Sequence, residues 1–149
     1  MGVWAQVLLP CCWAALATLG FCFNFGLRPV RMITAALGGG LGWLIYIAFG
    51  NRPDDAVPYF AATIAISLYA EAMARIQRAP VIVYLAPALL PLVPGSGIYR
   101  TMIYALNGEA SLCFDAGLQT LSISGALALG VVFSSSVVRL LLPQRRRGH

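Results

Sequence analysis

The sequence is poor in charge and contains no lysine. Only 10% of its 149 residues are charged and 60% are hydrophobic, and all ten basic residues are arginine. A folded soluble domain is about one quarter charged, because it must cover itself with polar surface. The composition therefore excludes an ordinary soluble enzyme, a nucleic-acid-binding protein and a disordered tail. It predicts an all-α integral membrane protein that is embedded in a lipid bilayer.

The residues that carry most enzyme chemistry are also scarce. Without lysine, the chain cannot form a Schiff base. One histidine, His149, and four cysteines with no CxxC motif cannot supply the roughly four converging ligands of a structural zinc site. A nucleophilic Ser96 would need a nearby base, and no predicted span contains histidine or lysine. We therefore expect no metal, no cofactor and no enzyme activity.

Long apolar runs predict five membrane helices, each of about 20 residues or more. The first 27 residues carry no charge, and Arg28 and Arg31 follow this stretch instead of preceding it. This order favours a retained span over a cleaved signal peptide. The predicted spans of this single membrane domain are 4–25, 32–50, 56–74, 80–106 and 116–142, with the fourth discontinuous and a basic tail at 143–149.

The arginines predict the orientation of these spans. Loops on the cytoplasmic side of a membrane protein carry an excess of positive charge. With the N-terminus outside and the C-terminus in the cytoplasm, eight arginines lie inside and two lie outside. The chain is therefore expected in the cytoplasmic (inner) membrane in this orientation. The inner arginines are Arg28, Arg31, Arg75, Arg78, Arg139, Arg145, Arg146 and Arg147, and the outer ones are Arg52 and Arg100.

Small residues recur in the second and fifth predicted spans. The second contains a GxxxG pattern within Gly38–Gly42. The fifth places Ser122, Ala126, Gly130 and Ser134 at intervals of four, which predicts one small-residue stripe. Small residues let membrane helices approach closely. Packing within the chain is the preferred interpretation, and a partner interface is the alternative.

The third predicted span carries polar residues at every fourth position, namely Thr63, Ser67, Glu71 and Arg75. A carboxylate inside a membrane often marks an ion or substrate path, so Glu71 is a candidate for proton coupling. The alternative is a structural ion pair with Arg75, in the favoured acid-before-base order. Its position near the end of the span slightly favours this alternative.

The fourth predicted span is interrupted by Pro80, Pro87, Pro91 and Pro94. We expect a break at Pro94-Gly95-Ser96-Gly97 and a new helix over 98–106 that is capped by Ser96 or Gly97. The first amides of such a helix attract anions, and broken helices in transporters bind substrate carboxylates in this way. Arg100 would lie in the first turn, where an anionic ligand offsets its unfavourable interaction with the helix dipole. The alternative is a simple kink, with Arg100 extending to the headgroups.

Two segments make the chain resemble a known family. LAPALLPLVPGSGIYRTMIYAL, preceded by FCFNFGLRPVRM, is similar to the C-terminal membrane half of the threonine/serine exporters. The resemblance covers essentially the whole chain. The positions that match the family pattern are Pro91, Pro94, Gly95, Tyr99, Asn24 and Arg28. Together with the break, this makes Pro94, Gly95, Ser96, Gly97, Tyr99 and Arg100 the candidate substrate-binding residues.

The resemblance also implies a function. Members export small carboxylate metabolites, either threonine and serine or a dicarboxylate such as succinate, and the proton motive force drives this export. The small component works with a larger subunit that has its own membrane helices and a soluble N-terminal domain. Alternatives are a non-transporting scaffold subunit and a passive channel, which a homo-oligomer could build. No nucleic-acid partner is expected.

Reporter fusions test the predicted topology. Fusions after Arg31, Asp55, Arg78, Ala110 and Arg147 should alternate inside, outside, inside, outside and inside, because the arginines are concentrated in alternate loops. An inside signal after Ala110 would contradict the five-span prediction, since the fourth stretch would then fail to cross.

Overall fold

The computed structural model describes residues 3–50 and 55–141. Within these residues, helices are the only regular secondary structure. Arg52, which is predicted to lie outside, and the predicted basic tail 143–149 are not among the described residues. A single 3-10 turn, Leu90–Leu92, follows the fourth helix. The α-helices are α1 (Val3–Asn24), α2 (Pro29–Ala48), α3 (Ala56–Ile76), α4 (Ile82–Leu89), α5 (Gly95–Leu106) and α6 (Ala110–Leu141).

Four of these helices are long and apolar enough to cross a membrane: α1, α2, α3 and α6. The segments Ile82–Leu92 and Gly95–Leu106 meet at a bend of 49° and provide a fifth crossing if they form one broken span. The described part of the chain is thus an all-α, multi-pass membrane protein, as the composition predicts.

Two predicted helix boundaries shift in the structure. The second helix begins at Pro29 and not near residue 32, because proline fits the first turn, where its missing amide hydrogen is not needed. The last helix begins at Ala110, so that the connector is shorter than predicted. With 32 residues, α6 is about 48 Å long and exceeds the roughly 30 Å hydrocarbon core.

Helix α2 lies between α1 and α3, and its glycines allow both neighbours to approach. A Cβ atom on Gly39 would overlap the side chain of Thr18 in α1, and one on Gly42 would overlap Ile66 in α3. The preferred interpretation of the GxxxG pattern, packing within the chain, is therefore confirmed. Helix α4 packs against α2 and α3, and α6 packs against α3.

Hydrogen bonds between side chains link α2, α3 and α4 at the end of the bundle where α3 terminates. Tyr69 donates to the carbonyl of Thr34 at 2.8 Å, and Gln77 Nε2 donates to the Thr34 hydroxyl at 3.3 Å. The fully buried Tyr84 donates to Gln77 Oε1 at 2.8 Å. These bonds fix one end of the bundle, opposite the break between α4 and α5.

The break lies earlier in the chain than predicted, because α4 ends at Leu89 and α5 already begins at Gly95. Pro94 is the residue before α5, and the helix begins at Gly95 with no side-chain cap, so neither Ser96 nor Gly97 caps it. The first helical hydrogen bond runs from the amide of Ile98 to the carbonyl of Pro94 at 3.2 Å. Arg100 therefore lies in the second turn, where the helix dipole acts on it less than in the first.

The predicted stripe on α6 is correct at three of its four positions. Ala126, Gly130 and Ser134 are buried, but Ser122 is exposed and Ile123 takes its place in the interface. Each step of four residues turns a helix by about 40° beyond a full circle, so a four-residue repeat drifts off one face. From Ser134 back to Ser122 there are three such steps, and their summed drift turns Ser122 away from α3.

Gly130 provides a test of this close packing. A Cβ atom there would lie 2.8 Å from Cβ of Thr63 and 3.2 Å from the carbonyl oxygen of Phe60, whereas one on Gly125 meets nothing within 4 Å. Gly130→Ala should therefore destabilise the protein by about 1–3 kcal/mol. Gly125→Ala, on the same helix, should be neutral or stabilising. Unfolding in detergent measures both, and equal stabilities would contradict the α3–α6 packing.

Candidate functional site

A small cavity of about 50 Å³ lies at the break between α4 and α5. Three parts of the chain form its walls: the first turn of α3, the break with the start of α5, and the N-terminal part of α6. The residues that line it are Tyr59, Pro94, Ser96, Gly97, Arg100, Ala116, Gln119, Thr120 and Ile123. The cavity is therefore a tertiary feature that combines residues from three helices.

Close packing of α5 on α6 forms one wall. A Cβ atom on Gly97 would overlap the hydroxyl of Thr120, so only glycine fits there without a shift. The hydroxyl of Thr120 donates to the carbonyl of Ala116 at 2.7 Å. Because its hydrogen is used in this bond, the Thr120 oxygen offers a lone pair to the cavity.

Tyr59 closes the cavity on the side of α3. Its ring packs against that of Tyr46 in α2, with a centroid distance of 4.8 Å and an interplanar angle of 56°. Tilted contacts of this kind are favourable and fix ring positions. The α2–α3 contact thus holds an aromatic side chain with a polar tip at the cavity wall.

Arg100 makes the cavity electropositive. The side chain lines the cavity, and no acidic residue is among the nine lining residues. Within residues 3–50 and 55–141, no ion pair is formed by Arg100. Its planar guanidinium can bind a carboxylate through two parallel hydrogen bonds. Ser96 and Gly97, whose amides precede the first helical bond donated by Ile98, line the same cavity, whereas the Gly95 amide donates to the carbonyl of Val93 at 2.7 Å.

Four of the six predicted binding residues come together at this cavity: Pro94, Ser96, Gly97 and Arg100. The other two, Gly95 and Tyr99, are exposed and do not line it. Of the other positions matched by the resemblance, Asn24 and Arg28 lie at the far end of α1 and the start of α2. Pro91 faces an apolar groove with Trp13 and Trp43.

The sequence interpretation missed three polar residues of the cavity. Tyr59 lies four residues before Thr63, so extending the polar repeat of α3 by one step would have found it. Gln119 and Thr120 form a polar pair near the start of an apolar helix, but only the packing of α5 shows that they face the break.

Glu71 lies away from the cavity. Its Oε2 is 3.7 Å from Nη2 of Arg75, and 20% of its side chain is exposed. This is the ion pair that the sequence offered as the alternative to a proton-coupling role. Tyr59 and Glu71 are separated by twelve residues, about 18 Å along α3.

Comparisons with known proteins agree on one family. The sequence profile of the family described as Threonine/Serine exporter, ThrE, matches residues 10–137. A threonine/serine exporter from Corynebacterium glutamicum is 28% identical over 109 residues, which cover 73% of this chain and 22% of that protein. The chain thus spans about a fifth of this relative's length. No solved structure matches the chain.

Gly97 tests whether the cavity is used. In Gly97→Val, the new side chain must displace Thr120 and fill the cavity, so transport or binding of a carboxylate should be lost while the helices still insert. Gly20→Val is the matched control, because a Cβ atom on Gly20 meets nothing within 4 Å. Transport rates are compared at equal amounts of each variant in the membrane. If Gly97→Val transports at the parental rate, as Gly20→Val should, the cavity is not the site.

Proposed function

Because this chain belongs to the threonine/serine exporter family, we propose that it is a membrane subunit of a secondary exporter of small carboxylate metabolites. The observation that carries the proposal is the cavity at the broken helix, which is lined by Arg100 and by Ser96 and Gly97 of the first turn of α5. Together they can bind a carboxylate at a position where lipid cannot satisfy the backbone.

The chemistry of the cavity supports a carboxylate group as the part of the substrate that it recognises. Arg100, Tyr59 and Ser96 provide side-chain donors, and none of the nine described lining residues is an acid that would attract an ammonium group. The substrate is therefore threonine, serine or a dicarboxylate such as succinate, bound by the group that all three share. In this proposal, an amino group is bound by residues other than these nine.

A larger partner subunit completes the exporter in this proposal. The resemblance to the exporter family implies this partner, and the alignment with the exporter relative covers 22% of that protein. The partner contributes its own membrane helices and a soluble N-terminal domain. The proton motive force drives export, and the chain lies in the cytoplasmic membrane with its N-terminus outside.

Reconstitution tests the proposal. Proteoliposomes that contain the chain with its partner should export labelled threonine, serine or succinate when a proton gradient is imposed, and an uncoupler should stop net export. Export by liposomes that contain each component alone shows whether this chain transports or serves only as a scaffold. Leakage of substrate without a proton gradient would indicate a passive channel.

Arg100→Lys tests the assigned role of the guanidinium. Lysine keeps the charge but loses the planar fork. Losing one hydrogen bond to a charged group should weaken apparent affinity by about tenfold or more. Arg139→Lys, an exposed position near the end of α6, is the control. If both variants keep the parental affinity, Arg100 does not bind the carboxylate, and residues of the partner subunit become the next candidates.

A further inference from the structure

Two serine hydroxyls are buried in the membrane domain without a hydrogen-bond partner. Ser67 in α3 is 2% exposed and Ser134 in α6 is 1% exposed, and neither Oγ atom has a partner in the described structure. A serine in a membrane helix can bond to the carbonyl four residues earlier. Neighbouring hydroxyls do this: those of Thr18, Thr63, Thr101, Thr120, Ser124 and Ser136.

The two serines are buried in α3 and α6, and these two helices pack against each other. These helices run in the same direction, since Tyr59 and Ile123 share the cavity and Thr63 meets Gly130 further along. Ser67 is one turn after Thr63, and Ser134 is one turn after Gly130. The two unpartnered hydroxyls therefore follow the same close contact, one on each helix.

A line of polar residues passes through this point. Along α3, Tyr59 lines the cavity, Thr63 and Ser67 are buried, Glu71 is half-buried and Arg75 is exposed. The gradual change from buried to exposed reflects the drift of a four-residue repeat around the helix. The line thus connects the cavity at one end with the Glu71–Arg75 ion pair at the other.

We infer that Ser67 and Ser134 relay protons between Glu71 and the cavity. Each hydroxyl accepts a proton on its oxygen and releases its own hydrogen on the other side, so neither serine is changed after a transfer. Along α3, the steps from Glu71 to Ser67, then to Thr63 and then to Tyr59 each span four residues. Successive Cβ atoms are therefore about 5–6 Å apart, a gap that one transient water between two polar groups covers. Ser134 lies one turn past the Thr63–Gly130 contact on the facing helix and adds a second hydroxyl beside this path. This inference rests on the proposed export function, because it assigns how that export is coupled to protons.

The chemistry of the unpartnered hydroxyls supports a functional explanation. Burying a hydroxyl without a hydrogen bond is unfavourable, and replacing it with an apolar group of similar shape is neutral or stabilising. Natural proteins break such local rules mainly at functional or strained sites. A purely structural account predicts that alanine at both positions improves the protein, whereas a relay predicts that it impairs coupling.

The test separates coupling from substrate binding. The reconstituted exporter is assayed for counterflow, in which labelled and unlabelled substrate exchange without a gradient, and for uphill export driven by a proton gradient. The double variant Ser67→Ala/Ser134→Ala should keep parental counterflow and lose uphill export by about tenfold, a usual size for coupling between sites. Its thermal stability should be equal to or above the parental value.

Two further variants test whether the loss of uphill export is specific to the proposed relay. Glu71→Gln should show the same split between counterflow and uphill export. Ser136→Ala is the matched control, since Ser136 is on the same helix, exposed, and bonded to the carbonyl of Val132 at 2.8 Å. It should leave both activities unchanged.

Each remaining outcome contradicts the inference in a distinguishable way. Parental uphill export in the double variant shows that the serines carry no protons. An equal fall in counterflow and uphill export shows that they serve the cavity or the packing instead. If the parental exporter itself shows no counterflow, the proposed function is wrong and the relay is wrong with it.

Discussion

A backbone that is inside a membrane must satisfy its own hydrogen bonds, because lipid offers none. The segment from Ile82 to Leu106 cannot do this as one regular helix, since Pro87, Pro91 and Pro94 each lack an amide hydrogen. The chain bends by 49° and starts a new helix at Gly95. The break lies among other helices of the chain: the 3-10 turn packs against α1 and α2, and the start of α5 lines the cavity together with α3 and α6. The cavity with Arg100 results from this constraint.

The rest of the bundle differs at its two ends. Where α3 terminates, the hydrogen bonds of Thr34, Tyr69, Gln77 and Tyr84 hold three helices together. Where α3 begins, α5 departs and packs on α6, which leaves a cavity. The glycines of α2 and Gly130 of α6 allow the tight packing between these ends.

The sequence predicted the helices and the break because both follow from local rules. Apolar length determines the spans, and proline with glycine determines the interruption. The prediction that Arg100 lies in the first turn of α5 was wrong by one turn. The helix begins at Gly95, directly after Pro94, without a side-chain cap. Ser122 was placed on the wrong face because a four-residue repeat drifts around a helix.

Contacts between distant segments could not be predicted in the same way. Tyr59, Gln119 and Thr120 become cavity residues only because α3, α5 and α6 meet, and a single sequence does not show which helices are neighbours. The unpartnered hydroxyls of Ser67 and Ser134 are likewise visible only once burial is known. The polar repeat on α3 was evident, but its connection to a cavity was not.

The central claim is that the break between α4 and α5 holds the carboxylate of the substrate, and protection of an introduced cysteine tests it most directly. Ser96 is exposed and lines the cavity, so Ser96→Cys should react with a small thiol reagent once the four native cysteines have been replaced. Those cysteines are Cys11, Cys12, Cys22 and Cys113. Transported carboxylates should slow this reaction in proportion to occupancy, and an amide analogue without the carboxylate should not. A labelling rate that stays the same at saturating substrate would contradict the account.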